Sequence, residues 1–143
     1  MPSELEWEKA ARGCLIKKIF PWGDEADSNR ANYDDSGIKT TSVVGCFPPN
    51  GYELYDMVGN VWEWTRSLWG KDWDKPEFIY PYDAATMAKR ENLKAADDVL
   101  RVLRGGSWDD FAGFAPCAYR SWDVPDFRDY DVGFRVVWRS PLL

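Results

Sequence analysis

No histidine occurs in the 143 residues of this chain, and that absence removes several chemistries at once. Ser-His-Asp and Cys-His catalysis, histidine-ligated zinc and the iron facial triad all need an imidazole. Cysteine is scarce: Cys14, Cys46 and Cys117 are odd in number and far apart, which suits neither a disulfide framework nor a paired-cysteine zinc site. At most one pair could form, and three buried thiols are the plainer reading. No apolar run nears the roughly 20 residues that span a bilayer. The opening residues MPSELEWEKA lack the charged-then-apolar pattern of a signal peptide. The expectation is a soluble chain without membrane insertion and of unknown localisation, any display on a virion or cell surface coming through another component. Clustered lysine and arginine are missing as well. Eighteen Lys and Arg against 24 Asp and Glu leave a net charge of −6, which opposes affinity for phosphate backbones, so nucleic acid is not an expected partner.

Tryptophan is abundant, at nine residues, and indole rings either fill a core or line a binding surface. The length suits a single domain, 1–143, with a real hydrophobic core. Residues 3–13, SELEWEKAARG, predict a short helix with Ser3 as N-cap, Glu6 in the capping-box position, Gly13 just past the end, and Leu5, Trp7 and Ala10 as its buried stripe. Residues 15–51 break into short apolar pieces, LIKKIFPW and TSVVGCF, among polar turns, which predicts loop-rich structure with isolated short strands. A strand is expected within 55–65, a helix of two or three turns within 83–98, and strands at 99–103 and 133–138. Gly105 and Gly106 ask for unusual backbone angles or a close backbone approach.

The most distinctive stretch is 101–137. RVLRGGSW and VGFRVV read as scaffold, whereas the middle, 109–131, is crowded with Asp, Phe, Tyr and Trp and contains neither Lys nor Glu. Large rings with few torsions, set among small polar residues, make up the composition of antibody paratopes. The alternative is an ordinary acidic-aromatic loop.

Five segments, PSELEWEKAARG at 2–13, FPWGDE at 20–25, FPPNGYELYDMVGNVWEWT at 47–65, RVLRGGSW at 101–108 and GFRVV at 133–137, together resemble the formylglycine-generating enzyme and sulfatase-modifying factor family. The resemblance implies an α+β, C-type lectin fold, loop-rich with short antiparallel strands and few helices. It matches the later part of the family's usual domain, which leaves open what covers the strand at 133–138. Formylglycine formation in such enzymes resembles a copper-dependent oxidation by two thiolates three and eight residues after the serine of GGS, positions held here by Asp110 and Ala115. Cys117 falls two residues too late, and the histidine-ligated iron of related sulfoxide synthases has no ligand here. No catalytic residue and no copper, iron or zinc is therefore expected.

The resemblance also implies a structural calcium ion (Ca2+) at the DMVGNVWE loop, with Asp56 and Glu63 giving carboxylates and Gly59 and Val61 carbonyls, completed by water. The competing reading has Asp56 capping a turn and Glu63 buried against an arginine. A second family calcium site would begin at Asn32 and Tyr33, but its later acidic ligand is replaced by Ser36.

Finally, the 101–137 segment is similar to the variable repeat of diversity-generating retroelements, whose reverse transcriptase rewrites adenines, mainly in Asn codons. Such codons can become Phe, Tyr, Asp, Ser, Val or Gly but never Lys, Glu, Gln, Met or Trp. Asp109, Asp110, Phe111, Gly113, Phe114, Tyr119, Ser121, Asp123, Val124, Asp126, Phe127, Asp129, Tyr130 and Asp131 all obey that rule. They form the expected ligand-binding set, to which Trp122 adds a ring. Ala112, Ala115, Cys117, Ala118, Arg120, Trp122, Pro125 and Arg128 form the expected invariant frame. The implied function is non-catalytic recognition of a protein or other macromolecular ligand. Its alternatives are a divergent sulfatase-modifying oxidase and a structural subunit with a fixed interface.

Overall fold

The computed structural model describes residues 1–79 and 82–138; the remainder of the expected domain, residues 80, 81 and 139–143, lies outside them. Helix α1, Glu4–Arg12, starts on a complete capping box. Ser3 Oγ accepts the amide of Glu6 at 3.2 Å, and the Glu6 carboxylate accepts the amide of Ser3 at 2.8 Å. Glu4 and Glu6 in the first turn and Lys9 and Arg12 in the last suit the helix dipole, and Gly13 ends the helix at φ 58°. The buried stripe differs from expectation: it is Glu4, Trp7 and Ala11, with Leu5 and Ala10 at its half-buried margins. A charge has been drawn inward because two arginines wait there.

The second helix, α2 (Ala84–Arg90), lies within the expected 83–98 and is capped by Asp83, whose Oδ1 accepts the Thr86 amide at 2.7 Å. The sheet is built on β1 (Trp62–Gly70), which pairs antiparallel with β2 (Leu100–Arg104) on one side and parallel with β4 (Val132–Phe134) on the other. Strand β3 (Ser121–Asp123) pairs antiparallel with β2, giving the order β3-β2-β1-β4. The strand expected within 55–65 begins only at Trp62. Asp56, Gly59 and Asn60 hold φ of 51°, 74° and 66°, and such left-handed positions turn a chain where a strand would extend it. Of the short strands expected before residue 51, only an isolated bridge between Phe20 and Gly23 appears. Strand β4 stops at Phe134, two residues into the run expected at 133–138, because Arg135 turns to bond Glu63 and the carbonyls of Tyr55 and Asp56.

Three apolar clusters fill the interior. Phe20, Ala31, Tyr33, Val58 and Ala115 form one, Trp7, Ala11, Met57 and Cys117 a second, and Trp69, Leu100 and Val102 a third, against which Trp122 and Val124 pack. Between α1 and the sheet lies a buried ionic centre. Glu4 and Arg104 are both fully buried and bond at 2.9 Å; Arg120 reaches the two Glu4 oxygens at 2.6 and 3.0 Å, and Arg104 also bonds Glu8 at 2.9 Å. The glycine pair performs as expected. Gly105 and Gly106 take φ of 101° and 72°, and a Cβ would stand 3.2 Å from the Trp7 ring at the first and 3.1 Å from the Phe114 carbonyl at the second.

Removing one partner of a buried ion pair strands the other charge. Glu4→Gln is therefore expected to lower unfolding stability by about 3 to 5 kcal/mol, read as a shifted urea midpoint at unchanged slope.

Candidate functional site

The backbone of 109–131 is pinned to the scaffold at intervals. The amides of Asp34 and Trp62 donate to the carbonyls of Asp110 and Asp131 at 2.9 and 2.7 Å, and the Cys117 amide donates to Ile19 at 2.8 Å. Arg120 closes on Glu4, and Arg104 donates to the Cys117 carbonyl. Burial then divides the segment. Its two fully buried residues, Ala115 and Cys117, both belong to the expected frame, and no residue of the expected binding set is buried. Frame residues Ala118 and Arg128 are exposed, so the division runs one way only.

Four of the binding set, Asp109, Phe114, Tyr119 and Tyr130, gather around Trp62 and Trp108. Tyr130 packs on Trp108 with ring centroids 5.5 Å apart and donates its hydroxyl to Asp109 at 3.2 Å. Tyr119 lies between Trp62 and Phe114, at 6.0 and 5.1 Å. Phe111 and Tyr130 are 67% and 65% exposed, apolar area held in water by a fixed backbone. Gly113 is exposed, and a Cβ there would meet nothing within 4 Å. Asp126 and Asp129 are exposed, and Phe127 is half-buried. Asp110 has a structural task as well: its Oδ2 accepts both the amide and the hydroxyl of Ser107, at 2.9 and 2.7 Å.

A second group lies on edge strand β3. Ser121 and Asp123 are half-buried, and Asp123 Oδ1 accepts the Val124 amide at 2.7 Å. Trp122 and Val124 lean on the Trp69 cluster. Trp122 stands 6.0 Å from Trp69 and 5.7 Å from Trp73, and Arg120 lies 4.9 Å over the other indole, Trp69. Here the set supports the sheet and meets solvent together.

The face is electrostatically crowded. Burial raises the Asp131 carboxyl above its usual range, with Asp129 and Asp110 adding to the effect and the Ser107 hydrogen bond opposing it. The Asp109 charge, and the bond to it, raises the Tyr130 phenol.

The four candidate calcium ligands are brought together: Asp56, Gly59, Val61 and Glu63 line one cleft with Tyr55, Phe134 and Arg135. Asp56 Oδ2 accepts the Gly45 amide at 2.7 Å. Glu63 is heavily engaged, by the Trp7 indole at 2.7 Å and by Arg135 at 2.5 and 2.6 Å. Hard oxygens are the donors a calcium ion takes, but here the Gly59 carbonyl already accepts the Val61 amide at 2.9 Å and Arg135 neutralises one of the two carboxylates. Near Asn32 the structure is closed differently. Ser36 donates its hydroxyl to Asn32 Oδ1 at 2.9 Å, and Asn32 Nδ2 donates to the Thr40 carbonyl at 2.9 Å.

A curled mixed sheet of short strands with long, backbone-pinned loops is a C-type-lectin-like α+β fold. The chain belongs to the sulfatase-modifying factor enzyme 1-like domain family, whose description matches residues 1–140. It is 36% identical over 151 residues to the inactive C-alpha-formylglycine-generating enzyme 2 of Bos taurus, covering 94% of this chain and 42% of that protein. To the formylglycine-generating enzyme of Bos taurus it is 33% identical over 151 residues, covering 94% and 37%. Among solved structures it resembles Treponema denticola variable protein 1, with a TM-score of 0.67, 32% identity, and coverage of 94% of this chain and 45% of that one. The chain thus spans less than half the length of these relatives, which by name include both an active and an inactive enzyme. Among the described residues, no helix is long and apolar enough to cross a membrane.

Two contributors escape sequence reading. Arg135 lies within GFRVV, where its pairing with Glu63 across 72 residues has no local signal. Trp73 is an isolated ring in a polar stretch, although its flanking Asp72 and Asp74 repeat the acidic-aromatic composition of 109–131.

The thiol nearest the family's copper positions is inert. Burial pushes Cys117 up to about 11, so it carries almost no thiolate at neutral pH; of the three thiols expected to be buried it alone is, because Cys14 and Cys46 lie in exposed loop segments. Iodoacetamide at pH 8 is expected to label Cys14 and Cys46 in the folded protein, and Cys117 only after denaturation, as counted by mass spectrometry.

Proposed function

We propose that the chain is a non-catalytic binding protein whose 109–131 surface was diversified by a retroelement and recognises a macromolecular ligand, most simply a protein. One observation carries this reading: within that segment the codon rule and the burial pattern agree, the fully buried residues being frame and the exchangeable ones all reaching solvent. Gly113, open on its side-chain side, would accept any of the residues the rule permits. The fold shared with a protein named as variable supports the same reading. Phe111, Phe114, Tyr119 and Tyr130 supply contact area at low torsional cost, and the six Asp at 109, 110, 123, 126, 129 and 131 favour a basic partner patch. Against an oxidase reading stand Asp110, committed to Ser107, and Ala115, buried and without a donor.

The test lies in the neighbouring DNA. A near-copy of the 101–137 coding segment, differing at template adenines beside a reverse-transcriptase gene, is expected; sibling proteins should vary at Phe111, Gly113 and Tyr130 and keep Ala115 and Cys117. A complete genome without such a copy, or siblings with an unchanging loop, would replace diversification with a fixed interface.

In the same reading the cleft at Asp56, Gly59, Val61 and Glu63 holds a structural calcium ion, which supplies charge where the loop turns toward β1. Millimolar calcium is expected to raise the melting temperature over chelator, by the equivalent of about 2.7 kcal/mol at a hundredfold excess over Kd. Asp56→Ala should abolish the increment. Glu63→Ala is the poorer probe because it also frees Arg135. Equal melting temperatures in calcium and chelator would leave Arg135 as the loop's cation.

A further inference from the structure

The edge of the sheet carries a ladder of alternating cations and rings. Arg90 lies 3.9 Å over the Tyr82 ring, Arg120 lies 6.0 Å from Tyr82 and 4.9 Å over Trp69, Trp69 meets Trp122 at 6.0 Å, and Trp122 meets Trp73 at 5.7 Å. The inner rungs are buried or half-buried, and exposure rises over the outer three rings, from buried Trp69 through half-buried Trp122 to Trp73, which is 68% exposed. Each inner ring has a guanidinium against it, with Glu4 as the counter-charge for Arg120. The outermost pair, Trp73 and Trp122, meets at 78° and forms a corner with no cation over either ring among the described residues.

The exposed indole does not ride on a loose loop. The Glu77 amide donates to the Trp69 carbonyl at 2.8 Å, and Trp69 Nε1 donates to the Asp72 carbonyl at 3.0 Å. Asp72 Oδ1 accepts the Asp74 amide at 3.0 Å, and Lys71 bonds Asp98 at 2.8 Å. Gly70 permits the turn: at φ 131°, a Cβ would stand 2.8 Å from Glu77 Cβ. A large ring held in water by this many constraints is preorganised for a contact. The surroundings are acidic. Residues 71–77 carry three carboxylates, Asp72, Asp74 and Glu77, against two lysines, of which Lys71 is already paired, and Asp123 beside Trp122 stands across from Arg101 on β2.

We infer that the Trp73–Trp122 corner is a constant anchor that captures an arginine side chain of a basic protein partner. The planar guanidinium stacks on indole and pairs with carboxylates, and the inner rungs show this chain making that arrangement with its own arginines. Neither tryptophan can arise from a rewritten Asn codon, so the corner stays the same while Asp123 and Val124 beside it change. The inference rests on the protein-binding reading given above and assigns to it a fixed hot spot.

Calorimetric titration of the full chain with a capped hexa-arginine peptide tests it. The expected result is binding tighter than that of hexa-lysine, weakened about tenfold by Trp73→Ala and less by Trp73→Phe. Because Trp73 is on the surface, the circular-dichroism melting curves of these variants should match the parent, separating lost contact from lost fold. Equal affinities for the two peptides, or binding indifferent to Trp73→Ala, would reduce the effect to net charge and overturn the inference. So would Trp73-dependent binding of a neutral oligosaccharide such as cellohexaose in place of arginine. Trp73 lies outside 101–137, so failure here would leave the template-copy test untouched.

Discussion

The structure turns on the carboxylate of Glu4. Buried at the first turn of α1, it accepts Arg104 from β2, Arg120 from the recognition segment and the Tyr82 hydroxyl from the approach to α2, so four parts of the chain meet at two oxygens. Isolated buried charges are costly, and a pair offsets the cost only when its remaining hydrogen-bonding capacity is filled. Most of it is filled here: Arg104 also reaches Glu8 and the carbonyls of Cys117 and Ala118, and its guanidinium lies 5.2 Å from the Trp7 ring. The directional bonds specify one arrangement where apolar packing alone would tolerate several.

That centre explains how the exposed segment can carry so much uncompensated character. Arg120 and the Cys117 carbonyl tie its middle to the core, and the carbonyls of Asp110 and Asp131 tie its ends. These last two bonds use backbone atoms, which every residue type provides. Asp110 and Asp131 can therefore be exchanged without releasing the loop, although exchanging Asp110 also gives up the bonds to Ser107. Surface replacements away from such features usually change stability by less than about 0.5 kcal/mol, whereas replacing Arg120 would take one of two guanidinium partners from the buried Glu4, leaving Arg104 and the Tyr82 hydroxyl. Recognition and stability are thus divided between side chains and backbone within the same stretch of sequence.

Much of this arrangement was legible in the sequence wherever the signal was local. The capping box of α1, the turn at Gly105 and Gly106 and the short helix within 83–98 all depend on neighbours within a few residues. Long-range pairing defeated the reading elsewhere. Glu4 holds a stripe position that a hydrophobic pattern would give to Leu5, because its partners lie 100 and 116 residues away. The late start of β1 depends on positive φ at Asp56 and Asn60, residues that tolerate the left-handed region without announcing it as glycine does. Arg135 ends β4 for the same kind of reason, drawn off the strand by Glu63. The family resemblance supplied the candidate calcium ligands, and the competing reading, with Asp56 on a turn and Glu63 against an arginine, matches the bonds to the Gly45 amide and to Arg135; only the identity of that arginine needed the geometry.

The acidic surface has a cost that the fold visibly carries. Asp131 is held where burial and neighbouring carboxylates oppose its charge, whereas Tyr130, whose neutral phenol the acidic neighbours favour, donates to Asp109 at no such cost. A folded-state pKa raised above the unfolded value means that the ionised form is disfavoured by folding, so this part of the surface is strained at neutral pH and relaxes as Asp131 takes up a proton. A surface selected only for stability would dilute that charge. A basic partner would ease the charge-repulsion part of that strain, while the burial of Asp131, its larger cause, stays. The crowding therefore acts in the same direction as the arginine capture inferred for the ladder: the inner carboxylate, Glu4, has its guanidinium groups in place, and the outer carboxylates would gain theirs from such a partner.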